Sequence, residues 1–433
     1  MRKLLKINRG MTLNDLTVHE MMEELKHKYT KLWWTTDKCF PALGAEISLN
    51  EKKAREKMMN QFTDALFSLL KQCPKNEAQR ADWKKRLWSM IKNFGHQWGF
   101  DEEAVNEEFA KELPNITHTF IANVNAFNPD MKLDKMLQAL RNAWIMNLLQ
   151  VLFKIKVEYT PSVFAYSMLY PYTDNYLDDI KVSAEDKNKI SKRFRLRLEG
   201  EQIEPVNAYE EALFNLVGMI ENQYSRANHD ELYESLLCIH DAQCNSLTLH
   251  DEIISPYEKD ILGMSADKGG ASVLADAYLV NGKLSDSQMD FSFAYGMLLQ
   301  LCDDLQDAKE DLNNGQMTIV SMTVGKWPLD NITNALFDFS DKIMADSYAN
   351  LDPDESDKMK AFLKKNLMLL IFEAVSQNQA YYSKAYIKTI EKYVPFRMAY
   401  TQKLYKKLKK KYKNFSSTEG YTIDDVLLMA SEI

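Results

Sequence analysis

Apolar residues recur along this chain at intervals of three and four, the period that lays one stripe along an α-helix. The alternation that marks a strand is absent, so the pattern predicts an all-α fold. Helices are expected at about 11–30, 50–72, 77–97, 101–112, 130–157, 161–180, 184–199, 206–226, 229–251, 265–280, 285–312, 329–348, 355–389, 395–413 and 421–431. Local signals agree with several starts. Thr160-Pro161 pairs an N-cap residue with proline at the first helical position. Ser183-Ala-Glu-Asp186 fits a capping box. Asp101 and Asp352-Pro-Asp354-Glu355 put acids where a first turn favours them. Helix breakers are few, with 14 Gly and 11 Pro in 433 residues.

A weak boundary is expected at Leu113-Pro114-Asn115. It leaves residues 1–115 as a charged, tryptophan-rich helical region (Trp33, Trp34, Trp83, Trp88, Trp98) of unknown role. Residues 116–414 form the main domain, and 415–433 a tail in which Ser416-Ser417-Thr418-Glu419-Gly420 links to a short last helix. The net charge of −8 excludes nucleic acid as the main partner, because phosphate binding calls for a basic footprint. The basic N-terminus Met1-Arg-Lys-Leu-Leu-Lys-Ile-Asn8 has no apolar core of signal-peptide length, and no run of about 18 apolar residues that could span a bilayer occurs. Neither a signal peptide nor a transmembrane span is therefore expected. Five cysteines, an odd number without CxxC spacing, read as reduced thiols. A soluble, cytoplasmic protein is expected.

Two acidic clusters break the apolar pattern, each at the end of an apolar helical stretch. The first is Asp174-Asn-Tyr-Leu-Asp178-Asp179; the second is Asp303-Asp304-Leu-Gln-Asp307-Ala-Lys-Glu-Asp311. Residues four apart share a helical face, so Asp174 and Asp178 stack, as do Asp303, Asp307 and Asp311. Either cluster alone would ordinarily be a solvated face. The second, however, emerges from Met297–Cys302, an apolar run, and unpaired carboxylates at the rim of a cavity are costly. A cation between the clusters would relieve them. Hard oxygen donors suit Mg²⁺, which usually carries a phosphate-bearing substrate. A third element, Lys268-Gly269-Gly270, reads as the head of a small-residue helix, where glycines admit a ligand to the backbone and lysine offers a point charge.

Together these segments resemble the class I isoprenoid synthases, the trans-prenyl diphosphate synthases and class I terpene cyclases. Gln300-Leu-Cys-Asp303-Asp304-Leu-Gln-Asp307 is similar to the family's QxxDDxxD motif, and Asp303-Asp304-xx-Asp307-xxx-Asp311 to the cyclases' (N/D)DxxSxxxE motif. Lys268-Gly269-Gly270 resembles the Lys-Thr-Gly element that reaches the diphosphate. The order agrees with the family, with 94 positions from Asp174 to Lys268 and 35 on to Asp303. The first motif departs from the family, reading DxxxDD rather than DDxxD. The GGKR element of chain elongases and the YCxxVAGxVG signature of squalene and phytoene synthases are missing. The nearest resemblance is to bacterial large-terpene cyclases of the tetraprenyl-β-curcumene synthase kind. It is specific over 160–320 and absent from the first 115 residues.

The resemblance implies a helical bundle around a central cavity, here with an extra N-terminal helical region. It implies three Mg²⁺ ions, with Asp174, Asp178, Asp179, Asp303, Asp304, Asp307 and Asp311 as their ligand candidates. Asp174, Asp178, Asp303 and Asp307 would carry catalysis by ionising a linear all-trans prenyl diphosphate, whose cation then cyclises. Lys268 would bind the diphosphate. Arg397 and Tyr400 resemble the Arg-Tyr pair near the C-terminus of many cyclases, and Tyr166 and Tyr170, with Phe164, Met168, Phe293 and Met297, would line the pocket. The other expectations are a homodimer and a weak membrane-surface contact through the lysine-rich helix that follows Arg397. A chain-elongating synthase and a non-catalytic helical partner subunit are the alternative readings.

Overall fold

The computed structural model describes residues 12–98, 107–179, 181–247, 258–351 and 357–431. The helix starts expected at Asp101 and at Asp352–Glu355 lie outside these. Among the described residues there are helices and short 3-10 turns and no strand. The α-helices are α1 (Val18–Trp34), α2 (Leu49–Lys71), α3 (Glu77–Gln97), α4 (Glu107–Phe127), α5 (Leu133–Leu152), α6 (Pro161–Asp178), α7 (Ala184–Glu199), α8 (Ala208–Gln223) and α9 (Asp230–Ser246). They continue with α10 (Ile261–Asn281), α11 (Asp286–Gln306), α12 (Ala308–Asn314), α13 (Asp330–Ala345), α14 (Ser347–Leu351), α15 (Asp357–Gln377), α16 (Lys384–Ile390), α17 (Met398–Lys413) and α18 (Ile423–Ser431).

The capping chemistry is where the sequence puts it. The Val163 N–H donates to Thr160 Oγ1 at 3.3 Å ahead of Pro161, and the Asp186 N–H donates to Ser183 Oγ at 3.1 Å. Three expected elements differ. Helix α4 runs through Leu113-Pro114-Asn115, so that tripeptide is no linker. Helix α10 begins at Ile261, with Asp260 accepting from the Gly263 N–H at 2.9 Å, which places Lys268 inside the helix rather than at its head. The helix expected over 285–312 is broken at Asp307, where φ −88° and ψ 8° end α11 and lead into α12. The backbone bonds of Asp307 N–H to the Asp303 carbonyl and of Asp311 N–H to the Asp307 carbonyl carry on through this bend.

The chain forms two compact units that interleave in sequence: residues 1–39, 141–326 and 331–355 in one, and 40–140, 327–330 and 356–433 in the other. The first unit is built around α10, apolar and buried nearly all round as a central helix must be. Helices α1, α6, α9 and α11 enclose it. The N-terminal α1 is therefore part of this core. It pairs Lys26 with Asp267 of α10 at 2.9 Å and Lys28 with Asp290 of α11. The hydroxyl of Tyr29, 1% exposed, donates to Asp290 at 2.7 Å.

Helices α10 and α11 meet across a glycine seam. A Cβ on Gly269 would stand 2.4 Å from the Gly296 carbonyl oxygen, and one on Gly296 would stand 2.1 Å from that of Gly269. A Cβ on Gly270 would strike the Phe293 ring at 2.4 Å. These glycines bring backbone against backbone, not backbone against a ligand.

In the second unit, α2 and α3 form a hairpin on which α18 packs. Leu69, Leu70, Trp83, Leu87, Val426 and Ala430 are buried together, and Trp83 Nε1 donates to the Leu69 carbonyl at 2.8 Å. The last helix is thus core rather than tail. No helix of the described residues is long and apolar enough to cross a membrane, and none of the five cysteines is in a disulfide.

Gly296→Ala should push α10 and α11 apart. The expected cost is about 1–3 kcal/mol, seen as a melting temperature a few degrees lower. Gly218→Ala in α8, where an added Cβ meets nothing within 4 Å, should leave the melting temperature level or higher.

Candidate active site

Three sequence elements converge in the first unit. Helix α6 brings Asp174 near its C-terminal end, α10 brings Lys268, and α11 ends on the second acidic cluster. Lys268 Nζ stands 3.0 Å from Asp174 Oδ1, with both side chains partly buried. This ion pair joins α6 to α10. Asp303 of α11 feels Lys268 and Asp174 as well, along with Arg141 of α5.

Asp304 is the member of the second cluster turned most fully inward. It is 4% exposed, accepts from Ser265 Oγ of α10 at 3.0 Å and from Gln300 Nε2 at 2.9 Å, and is pushed by burial up to about 7. It bridges the two helices just above the glycine seam. Asp303 and Asp307 are exposed to water, yet enough protein crowds them that burial still drives both upward, Asp307 to about 6. Both carboxylates thus reach solvent while protein crowds them from behind. Asp311, 7% exposed, is driven to about 8 by burial and then by Asp304, Asp307 and Asp303. The break at Asp307 means that Asp303, Asp307 and Asp311 do not form the single straight stripe that i, i+4 spacing predicts.

The other expected residues fall elsewhere. Asp179 is exposed at the end of α6 and accepts from the Lys181 N–H at 2.8 Å, which makes it a turn residue. The side chains of Asp178 and Tyr170 lie outside the described set. Tyr166 is 3% exposed, with its hydroxyl 3.4 Å from the Ser272 carbonyl, and a cavity of only about 20 Å³ lies beside it. Phe164, Met168, Phe293 and Met297 are likewise buried core, and Phe293 fills the space beside Gly270. Arg397 and Tyr400 belong to the second unit. Arg397 Nη2 lies 2.5 Å from Glu56 Oε2, and Tyr400 donates to the Glu56 carbonyl at 3.1 Å. His240, a core histidine by its sequence context, is 4% exposed with Nε2 3.0 Å from the Ser191 carbonyl.

Arg141 is the charged residue that the sequence reading missed. Its one signal was an arginine alone among the uncharged residues from Met136 to Phe153.

The donor set suits a hard divalent cation. All its atoms are carboxylate oxygens, raised first by burial and, for Asp304 and Asp311, also by neighbouring acids. Among the described residues no group of three or more His, Cys, Asp or Glu side chains is arranged to hold a metal ion. Mg²⁺ is bound by one or two carboxylates, with water and substrate phosphate completing its shell. Asp303, Asp307 and Asp174 are the side chains placed to supply those carboxylates. Comparison with protein-family models and with curated proteins finds no match for this chain.

A pH prediction follows from Asp311. In the unfolded chain it ionises near 3.8, and in the fold near 8. Between those values the folded state keeps a proton that the unfolded state has lost, so its contribution to stability falls as pH rises. In metal-free protein, Asp311→Asn should therefore raise the melting temperature near pH 8 by several degrees, and the gain should vanish towards pH 4. Thermal melts of both proteins across that range check this.

Proposed function

We propose that the protein is a Mg²⁺-dependent class I terpene synthase, with the helical architecture of the class I isoprenoid synthases, that ionises a linear all-trans prenyl diphosphate and cyclises the resulting carbocation. The observation that supports this reading most directly is the Lys268–Asp174 ion pair at 3.0 Å, with Asp303 acted on by both partners. It sets the cation that would meet a diphosphate between acids from both clusters. The absence of a GGKR element favours cyclisation over chain elongation.

In this reading Asp174 holds Lys268 in place before substrate arrives, and Lys268 then shares its charge with the diphosphate. Arg141 adds a second positive charge on the α5 side. Asp303 and Asp307 would hold the metal from the second cluster, and Asp174 from the first. Ser265 and Gln300 fix the Asp304 carboxylate and so hold the end of α11 against α10. Magnesium, when bound, stabilises the charge that develops on the departing diphosphate.

The test is incubation of the purified protein with Mg²⁺ and geranyl, farnesyl, geranylgeranyl or geranylfarnesyl diphosphate, singly, followed by gas chromatography–mass spectrometry. A cyclic hydrocarbon or alcohol is expected from one of them, and EDTA should abolish it. Asp303→Ala and Lys268→Ala should each lower its rate by on the order of 10²-fold or more. Longer linear diphosphates on addition of isopentenyl diphosphate would establish an elongase instead. No product, together with a melting temperature that Mg²⁺ and pyrophosphate leave unchanged, would establish the non-catalytic subunit.

A further inference from the structure

Helix α17 carries a charge that nothing in the proposed reaction uses. A chain of net charge −8 places seven lysines and no acid in the sixteen residues Met398–Lys413. Two of them are engaged: Lys407 Nζ and Lys411 Nζ lie 2.9 and 3.1 Å from Asp64 of α2. Lys403, Lys406, Lys409, Lys410 and Lys413 are exposed and have no carboxylate partner among the described residues.

The lysines are arranged around a groove rather than scattered. Lys71 at the end of α2 joins Lys406, Lys407, Lys410, Lys411 and Asn414 about a cleft of roughly 450 Å³, with Phe67 as its apolar floor. The Lys411 ammonium sits 5.1 Å from the centre of the Phe67 ring. On the outer face Tyr405 is 63% exposed and Tyr412 45%. Tyr412 is tied to Asp424 of α18 through its hydroxyl, whereas Tyr405 stands out among lysines. An amphipathic helix with cationic side chains and an outward aromatic ring matches the layered chemistry of a bilayer surface, phosphates outside and acyl chains beneath.

We propose that α17, with Lys71 of α2, docks on the headgroup layer of an anionic phospholipid membrane, with lipid phosphates over the lysine groove and Tyr405 at the interface. This rests on the second unit alone and is independent of the chemistry proposed for the first. Nucleic acid fits less well. Within α17 the cations are all lysines, the neighbouring Arg397 is held by Glu56, and planar guanidinium forks are thus missing. The acidic remainder of the chain would also repel a long polyanion extending beyond the patch.

The experiment is co-sedimentation of the full chain with phosphatidylcholine vesicles, with and without phosphatidylserine, at low and high salt. Binding is expected only with phosphatidylserine, and should weaken at high salt as screening shortens the reach of the lysines. Lys406→Gln with Lys410→Gln should weaken it by about five-fold per lysine. The control pair Lys283→Gln with Lys326→Gln, exposed outside the patch, should bind like the parent. Melting curves confirm that both variants fold. The proposal is overturned by equal binding to neutral and anionic vesicles, by no binding to either, or by full binding of the Lys406/Lys410 variant. Displacement from the vesicles by an RNA or DNA oligonucleotide below lipid-phosphate concentration would overturn it in favour of nucleic acid.

Discussion

The first unit depends on the contact between Gly269 and Gly296. With no Cβ on either side, the backbones of α10 and α11 approach until each glycine faces the other's carbonyl. That separation lets Ser265, one turn before Gly269, reach Asp304, two turns after Gly296. The same spacing keeps Lys268 within electrostatic reach of Asp303. Any other residue at the seam would widen the gap and loosen every polar contact above it. The functional geometry is thus set by the smallest side chains in the molecule, while the charged ones take the positions that result.

Above the seam the site is electrostatically uncomfortable. Asp304 and Asp311 are nearly enclosed, and neighbouring acids raise both. Such a cluster does not hold itself together; the buried faces of α10 and α11 hold it in spite of repulsion. Elsewhere the same helices show the ordinary solution. Asp267 has Lys26 and Asp290 has Lys28 and Tyr29, each supplied by α1. Asp276 of α10 is an exception: 1% exposed, it is met at Oδ1 by the Asn142 amide while Oδ2 has no partner, so buried acids without a cation are not confined to the end that carries the second cluster.

Much of this was legible in the sequence. The 3.6-residue period gives the all-α class, and Thr160-Pro161 and Ser183 mark the starts of α6 and α7 where they occur. The resemblance named Asp174 as a metal ligand and Lys268 as a diphosphate binder; their ion pair across 94 residues was in neither the period nor the resemblance. Other features were hidden for physical reasons. Lys268-Gly269-Gly270 reads as a ligand-binding helix head because glycine serves both a turn and a tight helix contact, and only the partner helix decides between them. The bend at Asp307 is a change of backbone angle at one residue, which a periodic pattern does not register. Arg141 was invisible because one arginine in an apolar helix says nothing of what it faces. Pro114 suggested a boundary, but α4 absorbs it, and the compact units follow three-dimensional packing rather than chain order.

The place of α1 has a consequence for how the chain is made. Its partners lie far downstream: Lys26 meets Asp267 across 241 residues, and Tyr29 meets Asp290 across 261. On a ribosome, α1 emerges with its apolar stripe and waits while all of α2–α9 is synthesised before α10 and α11 exist to cover it. Contacts so distant in sequence make for slow closure and a long exposure of apolar surface. The first helix translated is among the last to be buried, and a nascent-chain chaperone that shields this stripe would govern the yield of folded protein.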